Sequence, residues 1–135
     1  MRSFTFRLIP GNDLKLGIEK FVEDRELNAA SIVSCVGGLK QVNMRMAGAT
    51  PAKQDIRNLD GHYEIVSLMG TVSKDGSHLH LAVSDSEGVV TGGHLKEGCI
   101  VDPTAEVVIG EEPNSIYTRA LDDETGFEEL VVKEK

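Results

Sequence analysis

Residues 61–98 decide the fold of this chain. They read GHYEIVSLMGTV (61–72), SKDG (73–76), SHLHLAVS (77–84), DSEG (85–88), VVTGGHL (89–95) and KEG (96–98). Runs rich in Val, Leu and Ile alternate here with short polar segments that end in glycine, which is typical of β-strands joined by tight turns. Because no helix separates the runs, this stretch predicts consecutive antiparallel hairpins and excludes a parallel doubly wound sheet.

The rest of the chain adds one helix and further strands. Residues 13–27 carry the only helical pattern, because Leu14, Ile18, Phe21 and Val22 fall on one stripe. Either Asn12 or Asp13 is placed to cap the helix N-terminus. Additional strands are predicted at residues 2–9, 30–36, 40–47, 105–109, 116–121 and 127–132, with a loop at residues 48–60.

These elements define one α+β domain. The chain has 135 residues, enough for a single sizeable core and too few for two ordinary domains. We therefore predict a large, mostly antiparallel β-sheet of about seven to nine strands, packed with one main α-helix, over residues 1–135. Strands within residues 61–95 are expected to carry the functional site.

Charge and apolar content limit the partners. The formal net charge is −8, from 14 basic and 22 acidic residues, so the surface as a whole repels a polyanion such as DNA. No apolar run approaches the about 20 residues of a membrane span. The first residues lack an apolar signal segment, which predicts a cytoplasmic protein. Cys35 and Cys99 are then expected to be reduced thiols that fill space in the core, and neither is given a functional role.

Three of the four histidines form a pattern typical of a metal site. His78 and His80 are two residues apart on a strand, so both side chains point to the same face. His94 follows Gly92 and Gly93 on the next strand, where it is within reach as a third ligand. Three imidazoles and an open fourth position are typical of catalytic zinc sites, although iron, nickel and copper accept the same ligands. The alternative is a half-exposed pair of strand residues that binds no ion.

Two carboxylates interrupt apolar strands and are candidates for catalysis. Glu64 and Glu106 each lie within a predicted strand and have apolar neighbours. A carboxylate at such a position either faces solvent or is buried with a partner. Beside a metal, either one is suited to orient a ligating imidazole or to act as a base. His62 lies on a separate strand and is interpreted as a residue at the rim of the site.

Several segments together resemble a known domain. They are Gly61–Gly70 (GHYEIVSLMG), His78-Leu79-His80, Gly88, Gly92–Leu95 (GGHL) and Thr104–Val108 (TAEVV). This combination is similar to the PPC domain, named for "plants and prokaryotes conserved" and also known as domain of unknown function 296. The resemblance extends from the first strand to about residue 132. It implies an α+β fold with a large antiparallel sheet and one main helix, assembled as a homotrimer.

The resemblance also carries functional expectations. In plants the domain follows AT-hook segments of nuclear DNA-binding proteins, and the Arg-Gly-Arg-Pro core of an AT-hook is absent here. The plant motif Gly-Arg-Phe-Glu-Ile-Leu corresponds to Gly61–Val66, with His62 in place of its arginine. Some prokaryotic members look like metal proteins with histidines at the positions of His78, His80 and His94. That trio is similar to the zinc site of acetolactate decarboxylase.

Three hypotheses follow for the function. The first is a homotrimer that binds a divalent metal ion, with zinc as the expected ion, and acts as an enzyme or a sensor on a small molecule bound at the metal. The second is a DNA-binding regulator of transcription, which the net charge disfavours. The third is a trimeric scaffold that offers the surface at Gly61–Val66 to other proteins.

Overall fold

The computed structural model describes residues 1–135, with one helix and eight strands. The elements are β1 (Arg2–Leu8), α1 (Leu14–Asp24), β2 (Ala30–Arg45), β3 (Ile56–Ser73), β4 (Gly76–Ser84), β5 (Val90–Leu95), β6 (Ile100–Glu111), β7 (Ser115–Leu121) and β8 (Glu128–Glu134). This composition confirms the predicted α+β class and the predicted number of strands. No helix is both long enough and apolar enough to cross a membrane.

Six strands form one antiparallel sheet in the order β1-β6-β2-β3-β4-β5. The end of β2 also pairs with β5, through Met44 opposite Leu95 and Arg45 opposite His94. Strands β2, β3, β4 and β5 therefore close on themselves, and this closure brings the ends of distant segments together. Strands β7 and β8 form a separate two-stranded hairpin, as the sequence predicts.

Helix α1 begins as predicted and ends earlier. The Asp13 side chain caps it by accepting a hydrogen bond from the Leu16 amide at 3.0 Å. Its other carboxylate oxygen accepts from the Gly98 amide at 2.7 Å, which fixes the helix start against the loop after β5. The predicted end at residue 27 is corrected to Asp24, because Glu26 takes a φ of 55° and redirects the chain. Leu27 can then enter the core.

Strand β2 is continuous where two strands were predicted. Gly37 lies inside the strand, where a Cβ atom would overlap the backbone carbonyl of Thr104 on β6. The two glycines at 37 and 38 thus allow close approach of β6, next to shifts in the β2–β6 register, and do not form a turn. The predicted loop at 48–60 is also corrected, since Ile56–Asp60 already pairs with β2.

The core lies between the helix and the inner faces of the strands. Leu14, Ile18 and Val22 on α1 are completely buried, which confirms the predicted apolar stripe. They join one continuous cluster with buried residues from β1 to β6. The strands that carry the histidines belong to this cluster through Leu79, Leu81 and Leu95. These buried neighbours anchor the backbone on either side of the histidines in the core.

Candidate metal centre

The three histidines lie in two neighbouring rows across the closed sheet. In the first row, Arg45 on β2 is directly opposite His94 on β5, and His94 is directly opposite His80 on β4. Residues opposite one another on antiparallel strands project to the same face of the sheet. His78 is two residues from His80 and belongs to the second row, where it faces Thr71 on β3. The register alone therefore collects three imidazoles on one face.

The rings of the three histidines lie close to one another. Nε2 of His78 lies 3.2 Å from Nε2 of His80. The ring centroid of His94 is 5.1 Å from that of His78 and 5.9 Å from that of His80. One nitrogen from each of the three rings lies within 4.8 Å of the others. The structure thus places three nitrogen donors around one point.

Two glycines permit this arrangement. A Cβ atom at Gly93 would lie 2.6 Å from the Arg45 carbonyl oxygen, so any larger residue would separate β5 from β2. A Cβ atom at Gly70 would overlap the backbone carbonyl of His78. Both side chains would push apart strands that carry or support a histidine. The spacing of the imidazoles therefore depends on backbone contact that only glycine allows.

The donor set fits a metal ion. Two nitrogens bound at about 2.0–2.1 Å to one tetrahedral zinc are about 3.3–3.4 Å apart. The observed 3.2 Å between His78 and His80 is close to this value, and an N–H···N hydrogen bond between the two rings fits it equally well. Nδ1 of His94 is also buried and has no hydrogen-bond partner in the chain, and a metal ion bound at this nitrogen would satisfy it. Buried polar atoms without a partner are uncommon, and a metal site is one reason for them.

The electrostatic environment keeps two of the rings neutral. Burial, followed by the charge of Arg45, lowers the pKa of His94 to about 4. Burial also lowers the pKa of His78, followed by the charges of His80 and Arg119. Since a metal binds the deprotonated nitrogen of imidazole, both rings are in the ligating form at neutral pH.

The β7–β8 hairpin covers one side of the histidines. A cleft of about 310 Å³ separates the two, and Arg45, Arg119, Phe127 and Glu129 are among the residues that line it. Three of these come from the hairpin or its turn, and none was singled out from the sequence. Glu129 is the carboxylate whose charge reaches His78, where it opposes the lowering of the pKa.

The structure places the other sequence candidates elsewhere. Glu64 is opposite Ser84, which is four residues, or about 13 Å, along β4 from His80. It lines a different cleft together with His62. Glu106 is opposite Arg7 and Val36 on the other half of the sheet. All three side chains are exposed, and none lines the cleft beside the three histidines.

The two cysteines are free thiols, and neither belongs to the group of three histidines. Cys99 is completely buried and Cys35 is partly buried, as expected for residues that fill the core. Burial raises the pKa of each thiol to about 11, so both are protonated at neutral pH. A protonated thiol is a poor nucleophile and a poor metal ligand.

Comparison with known proteins identifies the domain type. A profile of the Plants and Prokaryotes Conserved domain matches residues 1–113, which excludes the β7–β8 hairpin. The bifunctional protein GlmU of Synechococcus sp. (strain JA-3-3Ab) is 39% identical over 133 residues, which make up 98% of this chain and 21% of that protein. The chain thus spans about a fifth of the length of the curated relatives that it matches.

Solved structures share the whole fold. A hypothetical protein from Salmonella cholerae-suis superposes with a TM-score of 0.93 at 40% identity, covering 99% of this chain and 94% of its own. A metal-containing protein from Archaeoglobus fulgidus gives a TM-score of 0.81 at 29% identity, covering 97% and 94%. A protein from Bacteroides thetaiotaomicron, named as a candidate DNA-binding protein, gives 0.85 at 19% identity and covers 96% and 91%. At that identity the likeness concerns the fold alone.

Proposed function

This chain belongs to the Plants and Prokaryotes Conserved domain family, and from that premise we propose that it binds one divalent metal ion, zinc, through His78, His80 and His94. The observation that carries the proposal is the convergence of three imidazole nitrogens within 4.8 Å. The unpartnered Nδ1 of His94 supports it. The metal-containing relative from Archaeoglobus fulgidus, at 29% identity, supports it further.

The site is suited to a small molecule. Bound zinc supplies Lewis acidity toward a carbonyl or lowers the pKa of a water molecule. The cleft of about 310 Å³ beside the histidines is at the small end of ligand pockets in proteins, which favours a ligand of few atoms. Catalysis and sensing are both compatible with such a site.

Glu129 is the carboxylate that we assign to proton transfer at this site. It lines the clefts on both sides of His78 and accepts a hydrogen bond from the Thr125 hydroxyl at 3.0 Å. The sequence alone favours Glu64 and Glu106 for this role, but neither of them lines the cleft. Because proton transfer needs hydrogen-bond reach or one bridging water, the carboxylate in the cleft is the better placed group.

We further propose that the chain assembles as a homotrimer, as its family resemblance implies. The neighbouring strands β2 and β3 expose Val33, Val36, Val66 and Met69, each with more than half of its surface accessible. Apolar side chains grouped on the middle of a sheet favour burial against another copy. Light scattering coupled to gel filtration is expected to give three times 14.6 kDa, and a monomer mass would contradict this assembly.

The negative net charge makes DNA a less favoured partner than a small molecule. Each chain carries −8, and the proposed trimer would carry −24. Since binding to DNA draws most of its affinity from cationic contacts with phosphates, a surface of this sign opposes it. We also expect the protein to work in the cytoplasm, where both thiols stay reduced.

Metal analysis tests the proposed function. Untagged protein purified without added metal, then reconstituted with zinc, is expected to hold about one zinc ion per chain by elemental analysis, the ratio of one three-histidine site. The His78→Ala/His80→Ala double variant should hold none. His62→Ala is the matched control, because it removes the exposed fourth histidine and should leave the zinc in place. Zinc retained by the double variant, or absent from reconstituted wild type, would refute the proposal.

A further inference from the structure

We infer that the cleft between the three histidines and the β7–β8 hairpin binds a small organic anion, whose carboxylate or phosphate group is held by Arg45 and Arg119. The inference rests on the proposed metal site, because the same cleft opens onto His78 and His94. It adds the chemical class of the ligand, which the histidines by themselves leave open.

Arg45 is fixed beside the histidines by the closure of the sheet. It is the residue directly opposite His94 in the β2–β5 pairing, so it ends the row that contains His94 and His80. Its guanidinium carbon lies 5.2 Å from the centre of the Phe127 ring, at the turn of the hairpin. This contact between a cation and an aromatic ring holds the side chain on the side of the cleft and leaves its N–H groups free for a ligand.

Arg119 reaches the second row from the hairpin. Its Nη2 donates a hydrogen bond to the Thr71 hydroxyl at 2.9 Å, and Thr71 is directly opposite His78. The Arg119 amide also donates to the Asp75 carboxylate at 2.6 Å. These two bonds fix both the backbone and the guanidinium of Arg119 next to His78. Each histidine row therefore has its own arginine, one from β2 and one from β7.

Neither arginine has an acidic partner within the chain. The five ion pairs of the protein include neither Arg45 nor Arg119, although both side chains are partly buried. A partly buried guanidinium needs an anion to offset the cost of its desolvation. Neither arginine has one here, although the chain as a whole has an excess of acidic side chains and a net charge of −8. Planar guanidinium groups bind carboxylates and phosphates with paired hydrogen bonds. The missing partner is thus expected to be an oxyanion from outside the chain.

Four acidic residues line the cleft, Glu19, Asp75, Glu128 and Glu129, and none of them forms an ion pair with Arg45 or Arg119. Glu19 binds the Lys15 ammonium at 2.7 Å and accepts from the Ser77 hydroxyl at 2.6 Å. The Asp75 carboxylate is engaged by the Arg119 amide. Glu129 accepts from Thr125 and remains available for a ligand hydroxyl. The cleft therefore combines cationic groups for an acid with an acceptor for an alcohol.

The lining matches a polar ligand rather than an apolar one. Twelve residues line the cleft, and Phe127 is the single hydrophobic side chain among them. Drug-like pockets are mostly apolar, so this composition favours a compact polar molecule. A hydroxylated carboxylic acid or a small phosphate ester combines the required groups.

Titrations with defined probes test this inference. Glycolate and inorganic phosphate are added separately to zinc-loaded protein, and binding is followed by NMR; glycolamide is the uncharged counterpart of glycolate. Each of Arg45→Gln and Arg119→Gln is expected to raise the Kd of the anions at least tenfold, since a hydrogen bond between charged groups is worth about 1.5–3 kcal/mol. The tighter of the two anions identifies the group that the site prefers.

Two control variants separate binding from structure. Arg57→Gln removes one positive charge that does not line the cleft and already pairs with Asp55, so it should leave the Kd unchanged. Thr71→Val removes the support of Arg119 and keeps its charge, so it should weaken binding less than Arg119→Gln. Unchanged anion binding in both arginine variants, or equal binding of glycolamide, would overturn the inference.

Zinc measured in the same samples distinguishes this inference from the proposed metal site. Protein that holds zinc and binds neither anion would refute the anion site alone. Protein that holds no zinc and still binds glycolate through the two arginines would refute the metal proposal and support the anion site.

Discussion

The two sides of the cleft are built in different ways. One side is the closed part of the sheet, where register and buried leucines fix the histidines. The other side is the β7–β8 hairpin, a separate two-stranded sheet that lies outside the matched domain profile. The sheet supplies the groups suited to a metal, and the hairpin supplies Arg119 and Glu129. We therefore expect metal binding to depend on the sheet alone, whereas ligand binding depends on Arg45 of the sheet together with Arg119 of the hairpin.

The largest effect is expected where the sheet itself is disturbed. Gly70→Ala places a Cβ atom on the backbone carbonyl of His78, so β3 and β4 must separate. We expect a loss of about 2–4 kcal/mol in the free energy of unfolding, measured with urea, and loss of zinc binding. The control is Gly48→Ala, which has a φ of 90° and no atom within 4 Å of the added carbon. It should lose only about 1 kcal/mol. Equal losses would show that overlap at Gly70 is unimportant.

Removing one ligand should affect the metal and spare the fold. His80→Ala is expected to weaken zinc binding at least 100-fold, measured by competition with a chelating dye, because two imidazoles remain of three. The exposed position of His80 predicts little change in the stability of the zinc-free protein. Phe127→Ala changes the hairpin side of the cleft and should leave the zinc affinity within about threefold of wild type. The two variants together then show that zinc binding depends on the sheet side. Similar zinc loss in both variants would contradict the separation.

The difference between the closed sheet and the hairpin also explains how much of the site can be predicted from the sequence. The two-residue spacing of His78 and His80, and the glycines before His94, are local signals on adjacent strands. Arg45 and Arg119 carry no such signal. Arg45 meets His94 through a strand pairing that spans 49 positions of the chain, and Arg119 bonds Thr71 across 48. Contacts of this kind depend on closure of the sheet and on docking of the hairpin.

The predictions that differ from the structure rest on glycine and on polar or charged residues, and they fail for similar reasons. The pair at 37 and 38 has the composition of a turn, and only its contact with β6 shows that it lies within a strand. Residues 56–60 look like a loop because they are polar, yet they pair with β2 at an exposed position. Glu64 and Glu106 stood out because apolar residues surround them. In a half-exposed sheet that pattern also describes side chains that face solvent.

A smaller effect is expected from loosening the hairpin. Asp75→Ala removes the acceptor for the Arg119 amide, an exposed bond whose loss should destabilise the docked hairpin by about 1 kcal/mol. Hydrogen exchange should become faster at residues 115–134 and remain unchanged in β4 and β5. Lys74→Ala is the neighbouring control, because its 4.0 Å ion pair with Glu26 is exposed and weak. Faster exchange throughout the sheet would show that the two sides unfold together.

The last effect concerns acid and belongs to the sheet side. The pKa of His94 falls to about 4 in the folded chain, below the about 6.5 of an unfolded imidazole. Between these values the unfolded chain binds a proton that the folded chain does not, so stability decreases as the pH falls from about 6.5 to about 4. His78 changes in the same direction.

Urea midpoints of zinc-free protein should therefore decline over this range, and the midpoints of His94→Gln should decline less steeply, because glutamine does not titrate. Carboxylates that titrate in the same range are shared by both proteins, so the difference between the two slopes isolates His94. Parallel slopes would mean that His94 is protonated equally in the folded and unfolded chains, and its neutral state would then be no property of the closed sheet.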